Sequence, residues 1–312
     1  MVLAFFKWIE TEVNMAKELV LALGGGGVRG CAHIGTVRCL MDHGYKISGI
    51  AGSSAGGMFG AVFASGANID EVEKLVVDFF KHPDFKRTPG QAAFAGTQSL
   101  EHALAPFIGD KNIEDFPIPF VATAVGIRSG HQISITKGNA LKAVLATIAI
   151  PGIFPSFHTE GDTLVDGAVI DPVPVELARR LNPILPVVAV PLHYKPNDFA
   201  PDQAWLPFSD TLPESLFKRI VNTRFGEIIR AMNASLELVI ERLSELTIEN
   251  ANPDVVSKPI VGHFGTLETI DPSELIKEGY RAMEECLPTL KASYSVKNTF
   301  LRITKYAGLK KI

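Results

Sequence analysis

Ile47-Ser48-Gly49-Ile50-Ala51-Gly52-Ser53-Ser54-Ala55-Gly56 joins a short apolar run to a Gly-Ser-Ser-Ala-Gly pentapeptide, and small apolar residues continue to Ala64. An apolar run closed by glycine reads as a buried strand, Ile47 to Ala51. The stretch behind it, Ala55 to Ala64, reads as a buried helix. Ser54 then sits on a sharp strand-to-helix turn. With Gly52 and Gly56 it fits G-x-S-x-G, the pattern that presents a serine hydroxyl for nucleophilic attack. Glycines flank the serine because the tight backbone leaves little room for side chains. Ser53 is a neighbouring hydroxyl in the x position.

Upstream, Leu19 to Leu23 is another short apolar run, and it stops at four glycines, Gly24 to Gly27, followed by Val28, Arg29 and Gly30. From Gly30 to His43 the residues Ile34, Val37, Leu40 and Met41 recur at helical spacing, and Gly44 ends the helix. A glycine loop between strand and helix can aim several backbone N–H groups at one oxyanion. Gly25, Gly27 and Gly30 also fit G-x-G-x-x-G, but the dinucleotide reading needs a carboxylate at the end of the next strand, where this chain has Ile50-Ala51-Gly52. A phosphate loop fails too, because no Lys-Ser or Lys-Thr follows the glycines.

Downstream, Asn68 caps a helix with Glu71 three residues on, and Val72, Leu75, Val76, Phe79 and Phe80 form its apolar face. Ile118 to Val125 and Gln132 to Thr136 read as strands, and Leu141 to Ile150 as a small-residue helix ended by Pro151. Leu164-Val165 leads into Asp166-Gly167-Ala168, a strand-to-turn signal, and Val187 to Val190 is another buried strand. Alternating strands and helices up to Pro191 describe an α/β sheet protein.

Three of these pieces, taken in order, resemble the patatin-like phospholipase family: Gly25-Gly26-Gly27-Val28-Arg29-Gly30, then Gly52 to Gly56, then Asp166-Gly167-Ala168. Cys31-Ala32-His33-Ile34-Gly35 and Ile150-Pro151-Gly152-Ile153-Phe154-Pro155 add to the likeness, which covers roughly Leu19 to Pro191. The resemblance implies a three-layer α/β/α fold with a mainly parallel central sheet, followed here by a helical C-terminal portion. It also implies a Ser–Asp dyad, with Ser54 as nucleophile, Asp166 as its base and the N–H groups of Gly25, Gly26 and Gly27 as an oxyanion hole. Arg29 is expected to steady the loop. The expected substrate is a fatty-acyl ester of a phospholipid, lysophospholipid or related lipid, with no metal or organic cofactor. A regulatory or scaffold protein on a catalytically weak version of the fold is the alternative. In the α/β-hydrolase order a triad would run Ser54, Asp166, then His193 or His263. The glycine loop and Asp-Gly-Ala fit the histidine-free pattern better. His33, beside the loop, reads as a packed histidine.

The remaining chain divides into a leader (1–18), the catalytic core (19–194) and a mostly helical portion (195–312). Lys195 to Pro213 reads as a long loop. Glu214 to Leu246 reads as one amphipathic helix with Phe225, Ile228, Ile229, Met232, Leu236, Val239, Ile240, Leu243 and Leu246 on the side expected to pack inward. Asp271-Pro272-Ser273-Glu274 is a strong helix start. A formal net charge of −4 gives no basic field for nucleic acid. No apolar run reaches the length of a membrane span. The three cysteines, Cys31, Cys39 and Cys286, match no zinc spacing and read as buried thiols of a cytoplasmic protein. Contact with a membrane is expected to be peripheral, at the inner face, with Phe5, Phe6 and Trp8 as the candidate anchor. Nothing in the sequence fixes the oligomeric state.

Overall fold

The computed structural model describes residues 17–81, 96–192, 223–265 and 271–309. Strand β1 (Glu18–Leu23) turns Leu19, Leu21 and Leu23 to one face and Val20 and Ala22 to the other, and all five are fully buried. Apolar burial on both faces needs a layer of helices on each side. The leucines join a cluster with Ile34 and Leu40 of helix α1 (Ala32–Asp42) and, beyond strand β2 (Lys46–Ser53), with Phe59 and Phe63 of α2 (Ala55–Ala64). Val20 and Ala22 face a second cluster that includes Val175 and Ala178.

The chain continues through α3 (Ile69–Lys81), α4 (Gln98–Ile108), β3 (Phe120–Gly126), β4 (Gln132–Ile135) and α5 (Ala140–Thr147). There follow β5 (Phe157–His158), β6 (Thr163–Asp166), α6 (Val175–Leu181) and β7 (Val187–Val190). The later elements are α7 (Arg224–Ala251), β8 (Val255–Val256), α8 (Pro272–Ser293) and α9 (Val296–Leu309). The strands form one sheet in the order β5-β6-β3-β2-β1-β7-β8, with β4 also on β3. Pairs from β3 through β2, β1 and β7 to β8 are parallel, and those joining β4 and β6 to β3, and β5 to β6, are antiparallel. This is the α/β sheet that the strand–helix alternation implied, with the three layers and mainly parallel order expected from the resemblance.

Registers around β3 place the site. β2 pairs with Phe120 to Thr123, and β6 pairs with Ala124 to Gly126. β4 pairs with Ala122 to Val125, overlapping both. A strand has two edges, so β4 holds one edge and β2 and β6 take successive stretches of the other. β2 stops at Ser53 opposite Thr123, and β6 brings Asp166 opposite Ala124, the next residue.

Helix α8 starts as expected, with Asp271 accepting from the Ser273 N–H and Pro272 in the first turn. It lies directly on α1. A Cβ on Gly35 would stand inside the Ile276 carbonyl, and one on Gly279 inside that of Ala32, so the two backbones touch where only glycine fits. α1 itself begins later than the spacing predicts, because Gly27–Cys31 forms a tighter 3₁₀ turn first.

Helix α7 departs from expectation. Ile228, Met232 and Val239 of its apolar stripe are exposed, as is Leu238, while Leu236, Ile240, Leu243 and Leu246 are half-buried. Among the residues whose burial is described, those turned fully inward are Glu237, Ser244 and, at the C-terminal end, Ala251. The reason is electrostatic: buried Arg29 stands opposite, its guanidinium 4.0 Å from the Glu237 carboxylate, and a buried cation needs an anion nearby. Cys31 and Cys39 are buried free thiols, whereas Cys286 is only partly buried. No helix among the described residues is long and apolar enough to cross a membrane. The expected loop Lys195 to Pro213 and the aromatics Phe5, Phe6 and Trp8 lie outside the described residues.

Candidate active site

At the end of β2 the backbone turns sharply into α2, and Ser54 takes φ 54° and ψ −125°, one of two non-glycine residues with positive φ among those described. Such a conformation costs on the order of 1–3 kcal/mol and persists only when its surroundings hold it. Here the Ser54 N–H donates to the Thr147 hydroxyl oxygen at 3.0 Å, and its carbonyl accepts from Met58 N–H in the first turn of α2. Gly52 and Gly56 let that turn close: a Cβ on Gly52 would overlap the Gly56 backbone, and one on Gly56 the Leu23 carbonyl.

The Ser54 hydroxyl donates to Asp166 Oδ2 at 2.5 Å across a sequence separation of 112 residues. Asp166 Oδ1 accepts from the Ala168 N–H at 2.8 Å, a contact made possible by the turn at Gly167. Both side chains are nearly inaccessible, at 4% for Ser54 and 3% for Asp166. Burial pushes the Asp166 carboxyl up to about 7, against the two hydrogen bonds, which favour its charged form. A carboxylate so placed is a far better proton acceptor at neutral pH than a solvated aspartate. The helix dipole of α2 points its positive end at the same spot.

The glycine loop passes over this pair. Gly25 N–H donates to the Pro172 carbonyl at 3.0 Å, and Gly24 N–H to that of Val190 at 3.0 Å. The N–H of Gly25, one of the three expected oxyanion donors, is thus engaged in this structure. What Gly25 provides is space, because a Cβ there would lie 3.0 Å from the Ser54 Cβ and 3.1 Å from the Ala168 Cβ. Among the described residues no acceptor meets the N–H groups of Gly26 and Gly27, which open the 3₁₀ turn containing Val28. Gly30 lets that turn rest on α2, where a Cβ would come within 2.7 Å of the Ala55 Cβ. Arg29 ties the loop outward, donating from Nε to the Phe264 carbonyl at 2.7 Å in addition to facing Glu237.

Among the described residues no histidine bonds to Ser54 or Asp166. His33 is fully buried and bonds through Nε2 to the Gly24 carbonyl at 2.9 Å. Desolvation lowers its pKa to about 4, so it is a neutral donor pinning the root of the loop. His263 is exposed with its ring 4.1 Å from that of Phe264, and His193 lies outside the described residues. No group of three or more His, Cys, Asp or Glu side chains is gathered to hold a metal among the described residues.

Two contributors were not legible in the sequence. Thr147 is a lone threonine in a small-residue helix, with no motif around it. The Pro172 carbonyl has no side-chain signature at all. Only the neighbouring Ile150-Pro151-Gly152-Ile153-Phe154-Pro155 stretch signalled that this part of the chain mattered.

A family model described as patatin-like phospholipase matches residues 21–179, a window that contains Ser54 and Asp166. An uncharacterized NTE family protein of Mycobacterium tuberculosis is 34% identical over 183 residues, covering 58% of this chain and 50% of that one. The lysophospholipase NTE1 of Pyricularia oryzae is 27% identical over 287 residues, covering 88% of this chain and 19% of its own length. The chain thus spans about half the length of this mycobacterial relative and about a fifth of that of the fungal one. Among solved structures, VipD from Legionella pneumophila shares the fold with a TM-score of 0.51 at 13% identity, over 87% of this chain and 66% of that one.

Proposed function

The chain belongs to the patatin-like phospholipase family, and on that premise we propose that it hydrolyses fatty-acyl esters of phospholipids or lysophospholipids through a Ser54 acyl-enzyme with Asp166 as base. The observation that carries the reading is the buried 2.5 Å hydrogen bond from the Ser54 hydroxyl to Asp166 Oδ2, on a turn with positive φ. The fungal relatives, named lysophospholipases, support the substrate class.

In this reaction the Ser54 oxygen attacks the ester carbonyl carbon while its proton moves to Asp166 Oδ2. The carbonyl π electrons move onto the carbonyl oxygen, and the free N–H groups of Gly26 and Gly27 receive the resulting oxyanion. As the tetrahedral adduct collapses, the C–O bond to the alcohol breaks and the departing oxygen takes the proton from Asp166. Water then attacks the acyl-enzyme with the same carboxylate as base, and the fatty acid leaves as Ser54 recovers its proton. The raised pKa of Asp166 suits both halves, because one group must accept a proton and return it near neutral pH.

The test is a panel of lysophospholipid, phospholipid and short-chain esters, with fluorophosphonate labelling, on the wild type and Ser54→Ala. We expect labelling and hydrolysis in the wild type and neither in the variant. Hydrolysis that survives in Ser54→Ala would place the nucleophile elsewhere. A wild type that binds lipid but neither labels nor turns over would identify a non-catalytic member of the fold.

A further inference from the structure

Two backbone amides anchor the dyad, and both are received by one short stretch at the end of α5. Ser54 N–H donates to Thr147 Oγ1 at 3.0 Å. Asp166 N–H donates to the Ala149 carbonyl at 3.0 Å. Thr147 is fully buried, and its hydroxyl is the one side-chain acceptor on the Ser54 amide. The fit is tight on the other side as well, since a Cβ on Gly57, in the first turn of α2, would lie 2.7 Å from Thr147 Cγ2 and 2.9 Å from Oγ1. The threonine therefore touches the turn in two ways. Its methyl packs against the start of α2, and its hydroxyl oxygen receives the amide of the residue with the unfavourable φ.

We infer that Thr147 is a positioning residue: its hydroxyl fixes the peptide plane before Ser54, holds the strained turn, and keeps the Ser54 Oγ within reach of Asp166 and of the carbonyl carbon. The inference rests on the proposed role of Ser54. A buried amide without an acceptor is costly, so removing the oxygen gives the Ser53–Ser54 peptide a reason to rotate. Rotation of that peptide relaxes φ of Ser54 toward negative values and swings Oγ away from Oδ2. Misplacement of a nucleophile by about 1 Å lowers the rate on the order of 10²-fold without altering how substrate is held. Asp166 itself stays in place, held by its amide contact to Ala149 and by the Ala168 N–H, but it loses the Ser54 hydrogen bond that favours its charged form.

Four proteins test this on a soluble short-chain ester: wild type, Thr147→Val, Thr147→Ser and Ser54→Ala. Thr147→Val keeps the shape and loses the oxygen; we expect kcat to fall at least tenfold with KM within about twofold. Fluorophosphonate labelling should slow in parallel, and the pH midpoint of kcat/KM should move up, because Asp166 loses the Ser54 hydrogen bond that favours its charged form. Thr147→Ser keeps the oxygen and should restore most of the rate. A folded Thr147→Val with kcat near wild type, or a loss shared equally by Thr147→Ser, overturns the inference. So does a loss that appears only in KM. Should Thr147→Val fail to fold, Thr147→Ala is compared with Thr147→Ser, since both lack the methyl and differ in the oxygen. At least a tenfold lower kcat in the alanine variant upholds the role, and equal rates overturn it. Ser54→Ala separates the two levels: if it retains activity, the nucleophile assignment has failed. If it is dead while Thr147→Val is normal, only the positioning role has.

Discussion

Replacing Asp166 by asparagine should stabilise the protein, and by an amount that grows with pH. In the folded protein burial holds the Asp166 carboxyl at about 7, against an ordinary value of 3.8. Between these values the folded chain keeps a proton that the unfolded chain has released, so stability falls as pH rises across that window. At about 1.4 kcal/mol per pH unit, the gap of roughly three units corresponds to a penalty of about 4 kcal/mol once pH is above 7. Asparagine has the same shape. Its carbonyl oxygen can accept from Ala168 N–H, its amide can face the Ser54 hydroxyl, and it never ionises. Urea unfolding of both proteins at pH 5 and pH 8 isolates the effect, since every other titrating group is common to the two. We expect the stability difference in favour of Asp166→Asn to widen by about 2–3 kcal/mol from pH 5 to pH 8. Hydrolysis should be lost in the same variant. A difference that stays constant with pH would mean that Asp166 meets solvent freely, and the account of its basicity would go with it.

The same carboxyl governs the rate. On a soluble ester, kcat/KM should rise about tenfold per pH unit below a midpoint near 7 and level off above it; a midpoint near 4 would mark a solvated aspartate. Gly26→Ala should lower kcat by about 10²–10³, because its Cβ would come within 2.8 Å of the Leu192 Cβ and push the loop donors aside. φ of Gly26 is 161°, extended backbone, so the crowding and not the conformation is the cause, and a normal kcat in folded protein would remove Gly26 from the oxyanion site. His263→Ala should keep most activity, since that ring is exposed against Phe264. A loss on the order of 10³-fold in folded protein would bring back a triad.

What the sequence made legible was local. A strand closed by glycine, a serine between glycines and a small-residue helix state the Ser54 turn between Ile47 and Ala64, and the alternation of such units states an α/β sheet. The Asp166 partnership is different in kind. Asp-Gly is an ordinary turn signal, and only the pairing of β2 and β6 along β3 turns it into a neighbour of Ser54. The direction of a peptide N–H is likewise invisible in residue types, which is why Gly25 looked equivalent to Gly26 and Gly27 although its amide is bound to Pro172. Helix α7 misled for a third reason. Apolar periodicity locates a stripe, but what lies opposite decides which side turns inward, and here it is Arg29, from a segment far away in the chain.

The shared edge of β3 has a consequence for how the protein acquires activity. The Ser54 turn needs Thr147, 93 residues on, to hold its amide, and Asp166 arrives only when a strand more than a hundred residues later docks beside it. Pairings of such long range are late and slow because chain entropy is lost before they are made. The docking admits no half-measure, because a slip of one residue would send the carboxylate to the opposite face of the sheet. During refolding, signals from helix and from the first strands should therefore recover ahead of ester turnover. The interval between them times the moment at which β6 closes on β3.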